Sequence, residues 1–333
     1  MRTLEEFKRA IDIALLTDDR EVHIKYSVYE FSFSHSDEAW KITMLGHVHC
    51  SWGPAVIELN GTQEWWCMGM VHRTDGPAVI KFNGTQEWWF MGLMHRKDGP
   101  AVIRSDGSKE WYYLGELHRT DGPAVIRPDG SEEWWYAGHQ VTSSIAEQIE
   151  EFNYKVNLAL LSMDRTSTIK VGCFIFKWNE QQELWCTFFA DLQHREDGPA
   201  VIHPDGTQEW CYMGWCHRTD GPAIIKSDGT QEWCCMGWCH RTDGPAIIRP
   251  DGSEEWYYLG ELHRTDGPAV IRPDGSEMWF QFGHLHREYG PAVICSDGTQ
   301  KYCYMNRLHR VDGPAVIYPD GTEEWWHHDN RIR

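Results

Sequence analysis

Apolar residues in this chain come in short runs, each closed by glycine, proline, aspartate or asparagine. The string Gly-Pro-Ala-(Val/Ile)-Ile occurs ten times. It begins at Gly53, Gly76, Gly99 and Gly122, then at Gly198, Gly221, Gly244, Gly267, Gly290 and Gly313. Within each group the spacing is 23 residues. One unit reads His-Arg-x-Asp-Gly-Pro-Ala-(Val/Ile)-Ile, two residues, (Asp/Asn)-Gly-(Ser/Thr)-x-Glu-Trp, then a variable second position and x-x-Gly. Pro-Ala-Val-Ile predicts a strand, Asp/Asn-Gly a hairpin turn with glycine at positive φ, and Glu-Trp-Trp-Tyr the return strand. Glycine and proline break every window of helical length. Asn60-Gly61-Thr62 and Asn83-Gly84-Thr85 match the glycosylation sequon but read as Asn-Gly turns.

A second period lies over the first. Leu4-Glu5-Glu6-Phe7 recurs as Ile149-Glu150-Glu151-Phe152, and Gly53 answers to Gly198, all at one offset of 145 residues. The chain is thus two tandem copies, each a head followed by repeats, four in the first and six in the second. We divide it into head 1 (1–46), four repeats (47–140), head 2 (141–191) and six repeats (192–333). In head 1 the apolar positions Leu4, Phe7, Ile11 and Leu15 predict a helix over 3–17, with Thr3-x-x-Glu6 as a capping box and Ser144-x-x-Glu147 as its counterpart. Alternation at Val22, Ile24, Tyr26 and Val28 then slips by one to Tyr29, Phe31 and Phe33. The same slip occurs between Cys173 and Phe174, and it predicts a β-bulge. A further strand is expected near Trp40–Met44 and Trp185–Phe189. Each head is expected to cap one end of its sheet, because repeat arrays need non-repeat ends.

Comparing the ten units shows which positions hold. The histidine before the turn is present in all ten, including His72, His95, His118, His217, His240 and His263. The first aromatic is Trp in nine, as at Trp65, Trp88, Trp111 and Trp134, and Tyr302 in the tenth. The second aromatic drifts: Trp66, Trp89, Tyr112 and Trp135 in the first copy, with Cys211, Cys234 and Cys303 at matching places in the second. The expected fold is mainly β, with tandem hairpins in elongated antiparallel sheets and two small α+β heads. At ~4.8 Å per strand, four repeats would extend ~38 Å and six ~58 Å. The invariant tryptophans would then form a buried ladder at about 10 Å intervals.

The unit resembles the MORN repeat, in particular variant forms in bacterial and viral proteins. The shared features are the period, the aromatic-x-x-Gly segment from Trp111 to Gly115, the turn at His118 and the Asp129-Gly130 turn. MORN units carry Gly directly after the histidine, whereas here Arg119 follows His118 and Gly122 comes four later. The resemblance covers about residues 47–139 and 192–329. It implies hairpin arrays used as scaffolds, interaction surfaces or dimerisation devices. Lipid-headgroup binding is also attributed to the family, but the acidity of this chain opposes that transfer.

The chemistry on offer is sparse. His, Arg and Asp in one turn could do acid–base work, but a catalytic site is needed once, and this trio recurs along the chain. We expect the histidine to bond a turn carbonyl and the arginine to pair with aspartate or lie on a tryptophan. Cys211, Cys216, His217, Cys234, Cys235, Cys239 and His240 invite a zinc reading. Equivalent positions in adjacent hairpins stand about 10 Å apart, too far to share an ion with bonds of ~2.3 Å. Cys216 and His217 with Cys235 remain open. No phosphate loop, HExxH or nucleophile elbow is present. The expectation is no catalytic residue, no metal and no cofactor.

Charge narrows the partners. Fifty acidic residues against 31 Lys and Arg give a net charge of -19. That disfavours direct nucleic-acid binding and attraction to an anionic membrane, and it suits a basic partner. The charged N-terminal MRTLEEFKRA reads as neither a signal peptide nor a span, and the 11 cysteines read as reduced thiols, so the expected compartment is the cytoplasm, or a host cytoplasm for a viral protein. The main expectation is a protein–protein interaction scaffold, with Trp66, Trp89, Tyr112 and Trp135 as docking rings unless they lie beneath the heads. The partner would be a protein with a basic or aromatic-accepting surface, and a homodimer fits as well. The alternative is an acidic viral or phage inhibitor that mimics nucleic acid.

Overall fold

Within one repeat the chain turns back twice. Val79–Ile80 pairs antiparallel with Gln86–Glu87. In the turn between them the Thr85 N–H donates to Asn83 Oδ1 at 3.0 Å, and Gly84 sits at φ 87°. After Trp88 the chain enters a second hairpin, Trp89–Phe90 against Leu93–Met94. Its two turn residues, Met91 and Gly92, have φ of 53° and 77°. Two successive positive φ values give the mirror-image turn whose twist matches paired strands. A computed structural model describes residues 4–26, 29–44, 46–141, 145–162, 165–166 and 168–332 and separates into two units, Met1–Glu147 and Gln148–Arg333.

The first hairpins fuse into sheets. Gln86–Glu87 pairs on its other side with Val102–Ile103, and the same step repeats along each array. Among the described residues, the first unit holds one 13-stranded antiparallel sheet and the second one 16-stranded sheet. The second hairpins form two-stranded ribbons beside the sheet. Single backbone bonds tie each ribbon to its neighbours: the Gly92 N–H donates to the Val71 carbonyl at 2.9 Å and the Arg96 N–H to the Tyr112 carbonyl at 3.2 Å.

The return strand therefore departs from the sequence expectation. One strand was expected through Glu-Trp-Trp-Tyr. It breaks at the first aromatic instead, and runs unbroken only at Glu132–Tyr136 among the described repeats. The reason is the double duty of that residue. The Trp88 N–H donates to the Ala101 carbonyl in the sheet, while its own carbonyl accepts from the His95 N–H on the ribbon side. The row of alanines beneath is sealed: Ala78, Ala101, Ala124, Ala223, Ala246, Ala269, Ala292 and Ala315 are each 0 % exposed.

The heads extend the sheets. Helix α1 (Leu4–Thr17) buries Phe7, Ile11 and Ala14 against Ile24, Phe31, Trp40 and Ile42. Helix α2 (Ala146–Ser162) buries Phe152, Val156 and Ala159, the positions 145 residues later. Both capping-box residues, Thr3 and Ser144, lie outside the described residues. In head 1 the strands run from His23–Tyr26 through Tyr29–Ser34 and Ala39–Met44 to Val56–Glu58 of the first repeat, so the head closes one edge of its array. The phase slip is a hairpin rather than the expected bulge. Tyr26 pairs directly with Tyr29, and Val171 with Phe174. In head 2 the two-residue connection Gly172-Cys173 reverses the chain and shifts the inward parity by one, which reproduces the pattern that suggested a bulge; Val28 of head 1 lies outside the described residues.

Candidate interaction surface

Two side-chain systems run along each array, and the first is a clamp. In eight repeats the arginine after the histidine lays its guanidinium on the first aromatic, as in Arg73 over Trp65, Arg96 over Trp88 and Arg119 over Trp111 at 4.1 Å, Arg241 over Trp233 at 4.0 Å, and Arg310 over Tyr302 at 4.0 Å. Its Nε donates to the aspartate two residues on, and its Nη1 to the proline carbonyl four on, as in Arg119 to Asp121 at 2.8 Å and Pro123 at 3.2 Å. Each contact holds the others in place, since a planar fork satisfies carboxylate, carbonyl and ring together. The expected tryptophan ladder is corrected accordingly. Trp65, Trp88, Trp111 and Trp134 are half-buried, and a guanidinium rather than the next indole covers the faces of the first three.

The histidines staple one repeat to the next. His72 Nδ1 accepts the Met91 N–H at 3.1 Å, His95 the Leu114 N–H at 3.3 Å, His118 the Ala137 N–H at 3.1 Å, and His240 and His263 the N–H of Leu259 and Phe282. Each donor is the first positive-φ residue of the following ribbon turn. The expected bond to a turn carbonyl is thus reversed, and the ring accepts. Burial explains it: desolvation pushes His49, His95 and His240 down to about 4, so these rings stay neutral and keep a lone pair. His217 is buried at the matching place, beside Tyr212.

The second system is a row of rings on the glutamate side of the sheet. Trp66 Nε1 donates to Glu64 at 2.7 Å, Trp89 Nε1 to Glu87 at 3.1 Å, Tyr112 Oη to Glu110 at 3.2 Å and Trp135 Nε1 to Glu133 at 2.9 Å. A cation closes three of these glutamates from the other side: Lys81 on Glu87 at 2.6 Å, Arg104 on Glu110 at 2.7 Å, and Arg127 on Glu133. Each ring therefore has its polar atom satisfied while it stays half-exposed. Burial, reinforced by Glu110, raises the Tyr112 phenol to about 12, which keeps it a donor. Of the four rings proposed for docking, Trp66 packs against the head core and the other three do not. Among the described residues the head core reaches Trp66 of the first repeat, so for that ring burial under the head is the outcome.

In the second unit the row changes character. Cys211 faces Cys216 across one ribbon, and Cys234 faces Cys239 across the next. Hydrogen bonding to its partner raises the Cys211 thiol and lowers that of Cys216, and the Cys234–Cys239 pair behaves alike. Cys235 stands across from Trp238, on the opposite ribbon face from Cys234, so it does not join Cys216. A donor atom from each of Glu209, Cys211 and Cys216 does fall within one 4.8 Å cluster. All eleven cysteines are free thiols.

Sequence reasoning passed over two rings here. Trp215 and Trp238 are 55 % and 56 % exposed, and both sit just after a ribbon glycine. An added Cβ at Gly237 would lie 3.0 Å from the Trp215 ring, so the indole rests flat on the next ribbon. Trp238 lies likewise over Gly260. The signal was available: Gly-Trp-Cys-His occurs at 214–217 and 237–240, where other units carry Met, Leu, Glu, His, Arg or Asn at the Trp position. Among the described residues, no helix is long and apolar enough to cross a membrane. The sequence matches no known family profile, and no curated protein matches it.

Proposed function

We propose that this chain is a non-enzymatic interaction scaffold of MORN-like hairpin repeats, acting in the cytoplasm. Its docking surfaces are Trp89, Tyr112 and Trp135 in the first array and Trp215 with Trp238 in the second. The observation that carries the reading is the pinning of each first-array ring to the glutamate two residues before it. Large rings held still lose little entropy on binding, and their buried polar atoms need nothing from the partner. The adjoining carboxylates and the net charge of -19 favour a partner with a basic rim around an apolar centre.

One observation favours the mimic reading. Asp205, Asp228, Asp251, Asp274, Asp297 and Asp320 occupy the same turn position in six successive repeats, and turn hydrogen bonds hold each carboxyl below its ordinary range. At two strands per repeat these charges recur every ~10 Å, sparser than the phosphates of a nucleic-acid strand. The scaffold reading therefore stands first.

The test is capture from a cell lysate by wild type and by Trp89→Ala/Trp135→Ala, at ~0.1 M and ~0.5 M salt. The scaffold reading expects a protein partner kept at high salt and lost with the double variant, whose melting curve stays cooperative. A basic nucleic-acid enzyme released at ~0.5 M salt, where the Debye length contracts, would put the mimic in its place.

A further inference from the structure

The last repeat breaks the pattern of its predecessors at two adjacent positions. Where earlier ribbons carry Tyr258-Leu259 or Tyr304-Met305, this one carries His327-His328. Both rings meet the repeat histidine His309. The His309 and His327 centroids lie 4.6 Å apart, those of His309 and His328 4.1 Å, and those of His327 and His328 4.7 Å. One ring nitrogen from each falls within 4.8 Å of the other two.

A second observation bears on the same ring. Counterparts such as His72 and His240 give Nδ1 to the N–H of the residue 19 positions on. His309 Nδ1 is buried and takes no such bond. His286 shares the open Nδ1, but its ring faces Tyr304 rather than another imidazole. Among the described residues, only the last repeat combines a buried open nitrogen with two further imidazoles.

We propose that His309, His327 and His328 form a binding site for a divalent transition metal, zinc in the first instance, with the fourth position open to solvent. Three neutral imidazoles are the donor set that borderline ions such as zinc, copper and nickel accept, and the hard ions magnesium and calcium refuse. With Zn–N bonds of about 2.05 Å, a tetrahedral site needs nitrogens about 3.4 Å apart. The ring planes of His309 and His328 are 19° from parallel, so binding turns one ring out of the stack. His327 is exposed and His328 sits in the ribbon turn, so the movement costs no core packing. The neighbouring Asp329 is already committed to the Leu308 N–H at 2.8 Å, which leaves the imidazoles as the ligands.

The experiment titrates zinc chloride into the untagged full chain at pH 7.5, read by calorimetry and by competition with a chromophoric chelator. His327→Tyr and His328→Met restore residues that sister repeats carry, and so keep the fold, as circular dichroism melts without metal would confirm. The expected result is one zinc per chain with a dissociation constant at or below the micromolar range. Each single variant should weaken it at least tenfold and the double variant at least a hundredfold. Cys211→Ser/Cys216→Ser should bind as wild type. The proposal is overturned by no binding at ~100 µM zinc, by a double variant that binds like wild type, or by binding that disappears with the cysteines and survives loss of the histidines.

Discussion

The two arrays share one frame and differ in what the frame carries. In the first, the position after the invariant aromatic is Trp66, Trp89, Tyr112 and Trp135, each tied to a glutamate. In the second, the same position begins with Cys211 and Cys234, and the large exposed rings move to Trp215 and Trp238 on the ribbons. Beneath both arrays the alanines at 0 % exposure, the histidine staples and the arginine clamps are alike. The difference teaches that the frame and the exposed rings, which we propose as the recognition surface, occupy separate positions of the repeat. The frame uses residues whose polar atoms are consumed within the array, which leaves the drifting position free to change without cost to the sheet.

If the frame is common, both arrays should fail together in acid, and this is the largest effect expected. His49 and His95 in the first unit and His240 in the second are held at about 4, against an ordinary value of about 6.5. A folded-state value below the unfolded one means that the unfolded chain binds more protons between the two. The staples therefore contribute fully above about pH 6.5, and their contribution falls as the pH drops toward 4. Each histidine changes the stability of its own unit by about 1.4 kcal/mol per pH unit within that window, so the effect in each unit is on the order of one to three kcal/mol per pH unit. The exposed turn aspartates Asp205, Asp228 and Asp251 cannot cause this loss, because their values are lowered and they protonate at more acid pH. Urea melts at half-unit steps from pH 7.5 to 4 should show the decline, and a flat profile across the window would refute the staple.

How much of this was legible in the sequence follows from how local each feature is. The period, the Asx-Gly turns, the duplicated heads and the mainly β class were readable because glycine, proline and asparagine impose them within a few residues. The second ribbon was not. Glu-Trp-Trp-Tyr reads as one continuous strand, and nothing in its composition marks the bend at Trp88, where sheet and ribbon both claim the backbone. Met91 and Leu114 also adopt positive φ without being glycine or asparagine, so the turn carries half of its usual signature. The direction of the histidine bond depends on burial of the ring, which a sequence does not state. His327 and His328 were readable as departures from the unit, but their meeting with His309 required the fold.

The next comparison is steric. Ala101 in the first array and Ala246 in the second are both fully buried under the ribbons. Replacing either by Leu adds three heavy atoms where no space exists, at a cost of about 1–3 kcal/mol. The two variants should lose equal midpoint in urea, with unchanged slope. A marked inequality would mean that the arrays are packed differently, and that the shared alanine row is a coincidence of sequence rather than one frame.

The smallest expected effect separates the clamp from the tryptophan ladder that the sequence suggested. Arg119→Lys and Arg241→Lys keep the positive charge and most of the aliphatic stem. What they remove is the planar group lying 4.1 Å over Trp111 and 4.0 Å over Trp233. They also remove the fork that reaches Asp121 and the Pro123 carbonyl together in the first array, and Asp243 and the Pro245 carbonyl in the second. An ammonium can serve one of these partners but not all three at once. A partly exposed guanidinium over an indole contributes about 0.5–1 kcal/mol, and the loss of a hydrogen bond to a carbonyl adds a similar amount. Each variant should therefore fall by about 1 kcal/mol, by the same margin in both arrays, with the loss persisting at ~0.5 M salt because the stacking term is not screened. If burial of the indoles by one another held the sheet, the lysine variants would melt with wild type. If charge pairing to the aspartate were the whole effect, salt would abolish the difference.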